Sequence, residues 1–224
     1  MSAAGRDPEA GDSGPDAAGF VLAGGQSSRM GRDKALLPFA GQPLVAHALS
    51  TLRQAGLTAS IAGASSSFAG LAPVVEDAQP GLGPLSGICA TLASTSAHHA
   101  VFLPVDLPLL PASLISFLLR HAQTTGRAVT LPSVNGFAQT FPAVLDRAVL
   151  PLLQTELGAG RSGCFSAFQA AAAIRREPMS VVAAELLAQA GQALHPGGLP
   201  ASCWFFNVNT PEDFERAIAV LQLV

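Results

Sequence analysis

Short apolar runs alternate with amphipathic segments along the chain from residue 19 onward. The run Ala100–Val105 contains no polar side chain, which is typical of a buried strand. Residues Pro111–His121 instead place Leu114, Phe117 and Leu118 on one face of a helix. Strands that alternate with helices in this way predict an α/β fold, a three-layer αβα sandwich around a mostly parallel, Rossmann-like sheet.

The same pattern sets the predicted bounds of the other elements. The predicted strands are Phe20–Ala23, Thr58–Ala62, Pro73–Glu76, Ala100–Val105, Ala128–Pro132, Phe141–Leu145 and Cys203–Val208. The predicted helices are Pro43–Gln54, Pro84–Ala93, Pro111–His121, Arg147–Glu156, Gly163–Ala172 and Pro211–Leu223. The last helix has the clearest start, because Thr210 can cap it and acidic residues occupy its first turn.

Residues 1–17 differ from the rest of the chain, because they are small, acidic and rich in Gly and Pro, with no apolar run. We interpret them as a disordered tail and residues 18–224 as a single domain. The tail lacks the apolar segment of a signal peptide. A chain of 224 residues can bury a sizeable core without the support of disulfides or metals.

Composition excludes several classes of protein. Only 12% of the residues are charged, but Gly, Pro, Ser, Thr and His interrupt the uncharged stretches, so none offers the ~20 consecutive apolar residues that cross a membrane. The net charge of −3 lacks the basic footprint of a nucleic-acid-binding protein. Three cysteines without a CxxC pair predict neither a disulfide framework nor a zinc site, which favours a reducing cytoplasm.

Among its 12 basic residues the chain has a single lysine, Lys34. Lys34 ends a segment rich in Gly and Ser, Gly24–Lys34, which follows the first predicted strand. Glycines let backbone N–H groups approach an anion, and Arg29 and Lys34 add positive charge. The segment matches neither the P-loop nor the GxGxxG dinucleotide pattern. Its place after a strand favours a phosphate-binding loop over an ordinary surface turn.

Three further polar residues lie at or just after the ends of predicted strands, and ligands bind at the carboxyl ends of strands in parallel sheets. Asp106 beside a phosphate loop suits Mg²⁺, which proteins hold through one or two carboxylates plus substrate phosphates; a turn aspartate is the alternative. Asn207 and Asn209 share one face of the predicted strand. There they can bind a ligand or satisfy local backbone groups, and spacing alone does not decide.

A second glycine cluster, Gly81–Gly87, resembles the GxGxxxG loop of nicotinamide-dependent reductases. Short-chain reductases of that kind use a catalytic tyrosine, and this chain contains no tyrosine. A tight turn that leads into a helix explains the cluster equally well. Glu76 and Asp77 precede it, where an acidic pair can accept hydrogen bonds from a base or a ribose, or cap a turn.

Four segments, in this order, resemble motifs of the nucleotidyltransferases that make molybdenum cofactor dinucleotides, and within them the MobA-type guanylyltransferases. They are Leu22–Lys34, Gly83–Ile88, Pro104–Pro108 and Phe206–Glu212. The resemblance implies the fold of the nucleotide-diphospho-sugar transferases. One departure is the loop Gln139–Pro142, which stands where the family often has a histidine before the proline, so no pterin-side role is carried over to this loop.

The resemblance implies a cytoplasmic enzyme that transfers GMP from GTP to the terminal phosphate of molybdopterin (Mo-molybdopterin), with Mg²⁺ and with release of pyrophosphate. By position, the residues that bind GTP would be Leu22, Ala23, Gly24, Gly25, Lys34, Asp77 and Asp106. The catalytic residues would be Arg29 and Lys34, which hold the triphosphate, and Asp106, which holds Mg²⁺. Asn207 and Asn209 would face molybdopterin. The nucleophile is an anionic phosphate oxygen, so positioning and charge neutralisation suffice without a strong base.

Two other classes of function remain as alternatives at this point. A relative that uses CTP, or one that activates a sugar phosphate, would share the phosphate loop. A non-catalytic molybdopterin carrier is less consistent with the sequence, because a carrier does not need Lys34 and Asp106 to hold a triphosphate. We expect a monomer that binds GTP and molybdopterin but neither nucleic acid nor membrane, with molybdoenzyme maturation proteins as candidate partners.

Overall fold

The computed structural model describes residues 16–24, 34–63, 68, 70–77, 79 and 81–222. Within these ranges the strands are β1 (Ala17–Leu22), β2 (Pro38–Phe39), β3 (Gln42–Pro43), β4 (Ala59–Ala62), β5 (Val74–Val75), β6 (His99–Pro104), β7 (Val129–Val134), β8 (Phe137–Ala138), β9 (Ala143–Asp146) and β10 (Ser180–Ala183). The helices are α1 (Leu44–Gln54), α2 (Pro84–Ser94), α3 (Ala112–Thr125), α4 (Leu150–Gly158), α5 (Cys164–Ile174), α6 (Ala184–Gln189), α7 (Ala201–Trp204) and α8 (Pro211–Gln222). Short 3-10 helices cover Lys34–Leu36 and Arg147–Val149. These bounds follow the predicted ones for most elements.

The main sheet has eight strands, in the order β10–β7–β9–β6–β1–β4–β5, with β8 paired to β7. β6, β1, β4 and β5 run parallel to one another, and β10 runs parallel to β7. β9 is antiparallel to both of its neighbours, β6 and β7. The sheet is therefore mostly parallel, as predicted, and contains a reversed strand that the sequence pattern does not indicate. β2 and β3 form a separate antiparallel ribbon.

Helices cover both faces of the sheet, which confirms the three-layer αβα sandwich. Side chains alternate along β1, so that Phe20 and Leu22 join one hydrophobic core and Val21 joins the other. Apolar residues of α2, α4 and α5 complete the first core, and residues of α1, α3, α6, α7 and α8 complete the second. Each fully buried Leu, Ile or Phe in these cores stabilises the fold by about 1.5–3 kcal/mol.

The first strand begins earlier than predicted, at Ala17. β1 pairs with β6 from Ala17 onward, and the backbone N–H of His99 donates to the carbonyl of Asp16 over 3.1 Å. Small residues carry a weak strand signal of their own, and here the pairing with β6 decides. The predicted tail of residues 1–17 is therefore too long, since Asp16 and Ala17 belong with the sheet. Residues 1–15 lie outside the described part of the chain.

The predicted strand Cys203–Val208 is wrong, because this segment contains the end of α7 and the loop that leads into α8. The Trp204 side chain is 1% exposed, and its indole N–H donates to the carbonyl of Leu199 over 2.8 Å. Phe205 and Val208 are buried in the same core. The run is apolar because a helix and a loop bury it, and an apolar run alone does not distinguish these from a strand.

The sequence pattern does not predict β10 and α6. β10 lies at the edge of the sheet beside β7, and its Val181 side chain is 46% exposed. A strand that buries little apolar surface carries only a weak alternation. The predicted strand Phe141–Leu145 begins instead at Ala143.

We expect a chain that starts at Ala18 to be less stable than a chain that starts at Asp16, each after an initiator methionine. In the shorter chain the methionine takes the place of Ala17 and nothing replaces the carbonyl of Asp16, so the bond from His99 is lost, and a lost hydrogen bond of this kind costs about 0.5–1.5 kcal/mol. Urea unfolding of both chains measures the difference in the free energy of unfolding. The Gln123→Ala variant of the longer chain controls for the side-chain contact between Gln123 and Asp16. Equal free energies for the two chains would show that β1 does not need these residues.

Candidate active site

Parallel strands end at one edge of the sheet, and the residues singled out from the sequence follow them. β1 continues into Ala23 and Gly24, β6 is followed closely by Asp106, and β5 is followed by Glu76 and Asp77. This edge is where ligands bind in open α/β sheets. The candidate site is therefore located here.

Backbone hydrogen bonds extend the sheet beyond the strand ends and hold the backbone that follows β1 in place. Ala23 donates its N–H to the carbonyl of Ala62 over 3.0 Å, and Gly63 donates to the carbonyl of Val75 over 3.1 Å. Gly63 permits a close approach here, because a Cβ on it would lie 3.3 Å from the backbone nitrogen of Gly24. The chain that leaves β4 thus contacts the backbone of Ala23 and Gly24.

The Lys34 ammonium group joins three segments of the chain at this edge. Its Nζ donates to Asp106 Oδ2 over 3.2 Å and to Asn209 Oδ1 over 2.6 Å, from partners 72 and 175 positions away in the sequence. The Lys34 side chain is 15% exposed and that of Asp106 is 26% exposed, so both are shielded but reachable. We call these three side chains the lysine clamp. Lys34, Asp106 and Asn209 thus lie together at this edge, whereas their chemical roles stay predictions.

The backbone around Asn209 is held by β6 and by α8. Val208 donates its N–H to the carbonyl of Asp106 over 3.0 Å. Asn209 and Thr210 both donate their N–H groups to Asp213 Oδ2 over 2.9 Å, and the Asp213 N–H donates to Thr210 Oγ1 over 3.2 Å. This reciprocal capping box confirms Thr210 as the cap of α8. The bond from the Asn209 backbone, followed by those from Thr210, lowers the pKa of the Asp213 carboxyl group.

Asn207 does not join the lysine clamp. Its side chain is exposed, and its amide donates a long bond of 3.5 Å to the carbonyl of Phe205. Because this segment is a loop, Asn207 and Asn209 do not share the face of a strand, which corrects the prediction. The structure separates two residues that the sequence pattern treats as a pair.

The Asp77 carboxylate is anchored at the first turn of α2. Its Oδ1 accepts a hydrogen bond from the Ser86 hydroxyl and another, of 2.9 Å, from the backbone N–H of Gln79. The second contact is the turn capping that the sequence left as one alternative for Asp77. Sequence reasoning missed Ser86, which is 3% exposed. The feature that identifies Ser86 is a buried hydroxyl group in the first turn of a helix, because a buried hydroxyl group needs a nearby polar partner.

The glycine cluster before α2 is a tight turn. Gly81 and Gly83 have φ angles of 94° and 83°, a left-handed conformation that favours glycine, and α2 begins at Pro84. This geometry supports the turn interpretation of the cluster over the reductase loop.

Two buried thiols are poor nucleophiles in this fold. Burial raises the pKa of Cys89 to about 11, with a further contribution from the Asp77 carboxylate. Burial also raises the pKa of Cys164 to about 12. A thiol reacts as its thiolate, and both groups stay protonated near neutral pH. Neither thiol is therefore a candidate for the chemistry of the site.

Some predicted site residues lie outside the part of the chain that the structure describes. Gly25 and Arg29 lie outside the described residues, so their placement stays a prediction. Within the described ranges, His, Cys, Asp and Glu side chains form no group of three or more that could hold a metal ion. Of the helices described above, none is long and apolar enough to cross a membrane.

Comparison with known proteins finds a family whose members are similar to this chain. The family described as MobA-like NTP transferase domain matches residues 19–173. A molybdenum cofactor guanylyltransferase of Rhizobium meliloti is 33% identical over 210 residues, which cover 90% of each chain. A probable molybdenum cofactor guanylyltransferase of Carboxydothermus hydrogenoformans is 28% identical over 204 residues, 91% of this chain and 95% of the relative. A molybdenum cofactor guanylyltransferase of Xanthomonas euvesicatoria is 47% identical over 107 residues, 47% of this chain and 54% of the relative.

Solved structures share the fold at low sequence identity. Molybdopterin-guanine dinucleotide biosynthesis protein A from Archaeoglobus fulgidus has a TM-score of 0.72 at 19% identity and covers 92% of this chain and 99% of its own. The 2-C-methyl-D-erythritol 4-phosphate cytidylyltransferase of Thermus thermophilus has a TM-score of 0.64 at 16% identity, over 91% and 98%. A Mycobacterium tuberculosis protein in complex with manganese has a TM-score of 0.57 at 19% identity, over 91% and 98%. These likenesses confirm the predicted nucleotide-diphospho-sugar transferase fold.

We expect Gly63→Ala to destabilise the protein by about 1–3 kcal/mol, because the added methyl group has to displace the backbone of Gly24. Gly158→Ala is the matched control, since Gly158 lies in α4 and a methyl group there meets no described atom within 4 Å. The control should be neutral or slightly stabilising, as expected for alanine in a helix. Urea unfolding measures both changes. Equal free energies of unfolding for the two variants would show that the backbone of Gly24 moves to accept the methyl group without loss of stability.

Proposed function

The chain belongs to the family of MobA-like NTP transferase domains, and from that premise we propose that it transfers GMP from GTP to the terminal phosphate of molybdopterin. The relatives from Rhizobium meliloti and Carboxydothermus hydrogenoformans, which align with at least 90% of this chain, bear the name molybdenum cofactor guanylyltransferase, the second as probable, which supports GTP and molybdopterin as substrates. The observation that carries the proposal is the Lys34 ammonium between Asp106 and Asn209, at the substrate edge of the sheet.

The proposed reaction needs charge neutralisation more than proton transfer. An oxygen of the molybdopterin phosphate, already anionic near neutral pH, attacks the α-phosphorus of GTP in line with the leaving group. The bond from this oxygen to the α-phosphorus forms, the bond from the α-phosphorus to the bridging oxygen breaks, and pyrophosphate leaves with the electron pair. Lys34 stabilises the charge that develops on the phosphate oxygens, because its ammonium is a compact point charge on a flexible stem. Arg29 would assist it by its position in the loop.

Asp106 has the chemistry to hold Mg²⁺ in this proposal. Its Oδ2 accepts from Lys34, whereas no residue of the described chain donates a hydrogen bond to its Oδ1. Carboxylate oxygens suit Mg²⁺, and substrate phosphates commonly supply further ligands. When bound, the ion would neutralise charge on the phosphates. The manganese complex of the Mycobacterium tuberculosis protein supports a divalent cation in this fold.

In this proposal the backbone at the end of β1 and the Asp77 carboxylate would recognise guanine. Backbone groups of Leu22–Gly24, with Gly25 next in the sequence, can donate to and accept from the edge of a base. The Asp77 carboxylate can accept from the N1–H and the 2-amino group of guanine, and Ser86 keeps that carboxylate oriented. Adenine lacks O6 and the 2-amino group, and cytosine lacks the N1–H donor, so either base would leave polar groups of the site unpaired.

A cytidylyltransferase is the second candidate. The Thermus thermophilus cytidylyltransferase has the same fold, and so has a glucose-1-phosphate thymidylyltransferase from Bacillus anthracis described as putative, with a TM-score of 0.69 at 15% identity. The fold therefore does not select the base or the acceptor. A non-catalytic molybdopterin carrier is disfavoured by the lysine clamp, which a carrier would not need. In our proposal the protein acts as a monomer in the cytoplasm and supplies molybdoenzyme maturation proteins.

We expect Lys34→Ala to lower kcat for GMP transfer by about 100-fold to 1,000-fold, because it removes a donor that stabilises transition-state charge. Lys34→Arg should keep part of the activity, since it retains the charge but not the compact geometry. Arg147→Ala is the matched control, because Arg147 is an exposed cation at the opposite end of β6, where its N–H donates to the carbonyl of His98. Steady-state pyrophosphate release measures the rates. A folded Lys34→Ala variant with normal turnover would contradict the phosphate role.

We expect the protein to bind GTP more tightly than CTP or ATP. Each buried polar group left unpaired by the wrong base costs roughly 1–3 kcal/mol, so two mismatches give about tenfold or more discrimination. Calorimetric titration of the three nucleotides measures this preference. Asp77→Ala should narrow the gap, and the exposed neighbour Glu76→Ala should not. Tighter binding of CTP by the unmodified protein would instead support a cytidylyltransferase.

A further inference from the structure

The capping box of α8 is connected to the lysine clamp through Asn209. Asp213 Oδ2 accepts the backbone N–H of Asn209, while Asn209 Oδ1 accepts from Lys34 Nζ. Asp213 and Lys34 therefore act on the same residue, one on its backbone and the other on its side chain. Asn209 and α8 lie beyond residues 19–173, the part of the chain that the family matches.

The chemistry of lysine decides how the Asn209 amide is oriented. An ammonium group only donates hydrogen bonds, so the amide atom 2.6 Å from Nζ has to be the oxygen rather than the NH₂ group. A short bond of this kind is expected when the donor is charged. Asn209 is thus a neutral acceptor that shares the ammonium with the Asp106 carboxylate, whose Oδ2 lies 3.2 Å away.

The neutral acceptor makes the shorter of these two bonds. Coulomb attraction alone would bring the ammonium closest to the carboxylate, because two opposite charges attract more strongly than a charge and a dipole. The short bond is consistent with an Asn209 that contacts other than the one with Lys34 also hold in place. The backbone bond from Asn209 to Asp213 supplies such a contact, and the bonds of Thr210 and Val208 fix the residues on either side.

We propose that Asp213 is a positioning residue for Lys34, which acts by fixing the backbone of Asn209. In this position the Asn209 amide oxygen shares the ammonium with Asp106 and holds it at the edge of the sheet where phosphate oxygens would bind. The link from Asp213 to Lys34 rests on geometry alone. Its benefit to catalysis rests on the proposed function.

The single lysine allows a direct test that does not need activity. Full-length protein labelled with ¹³C and ¹⁵N only in lysine gives side-chain NMR signals from Lys34 and no other residue. We expect Asp213→Asn to shift the Cε and Nζ signals of Lys34 in the same direction as Asn209→Ala. Glu212→Gln is the matched control, because it removes the same charge from the first turn of α8 and should leave these signals in place.

A double-substitution cycle tests whether Asp213 acts through Asn209. If it does, Asp213→Asn combined with Asn209→Ala shifts the Lys34 signals no further than Asn209→Ala alone. Asp213→Glu should restore the unmodified spectrum, because glutamate at this position of a helix completes the same capping box. Additive shifts in the double variant, or unchanged Lys34 signals in Asp213→Asn, would overturn the proposal.

Kinetics of GMP transfer then test the benefit to catalysis. Asp213→Asn should lower kcat by about threefold to 100-fold, as expected for a small displacement of a charged group. The KM for GTP should stay within about twofold, because the Lys34 contact matters most in the transition state. An equal loss in Glu212→Gln would show a general effect of α8 and would contradict positioning. If the unmodified protein does not transfer GMP, the proposed function fails, and the Lys34 signals still decide the positioning.

Discussion

The largely buried side chain of Lys34, with its ammonium group, is the constraint on which the rest of the site depends. A cation that is only 15% exposed has to meet acceptors, because an unpaired buried charge is costly. Those acceptors come from the end of β6 and from the loop before α8, so both have to be held beside the segment that follows β1. Parallel pairing of β1 with β6 brings Asp106 into place, and the capping box of α8 does the same for Asn209.

Lys34 and Asp106 could be predicted from the sequence, because their signals do not depend on knowing the fold. Lys34 is the single lysine, and Asp106 directly follows a run of apolar residues that is long enough for a buried strand. The rule that ligands bind at the carboxyl ends of parallel strands then brings both to one edge. Asn209 reaches the same edge, but from a loop that follows a helix rather than from the end of a strand.

The features that sequence reasoning missed depend on neighbours that are distant along the chain. The apolar pattern of residues 203–208 is typical of a strand. The contacts of these apolar residues become known only from the structure, in which Trp204 and Phe205 are buried in the core. The hydrogen bond from Ser86 to Asp77 exists because the end of β5 lies beside α2. The reversal of β9 follows from its pairing with β6 and β7, and its residues would suit either direction. In each case a tertiary contact decides between local patterns of similar strength.

Lys34 is synthesised long before Asn209, because 175 positions separate them. At about 5–20 residues per second, a ribosome needs roughly 10–35 s to cover that distance. During this interval β1 can already pair with β4 and β6, whereas the ammonium still lacks its amide partner. A growing or prematurely ended chain can thus have an ordered sheet edge and an incomplete lysine clamp. Assembly of the sheet and completion of the site are therefore separate steps, and the second depends on residues that are translated later.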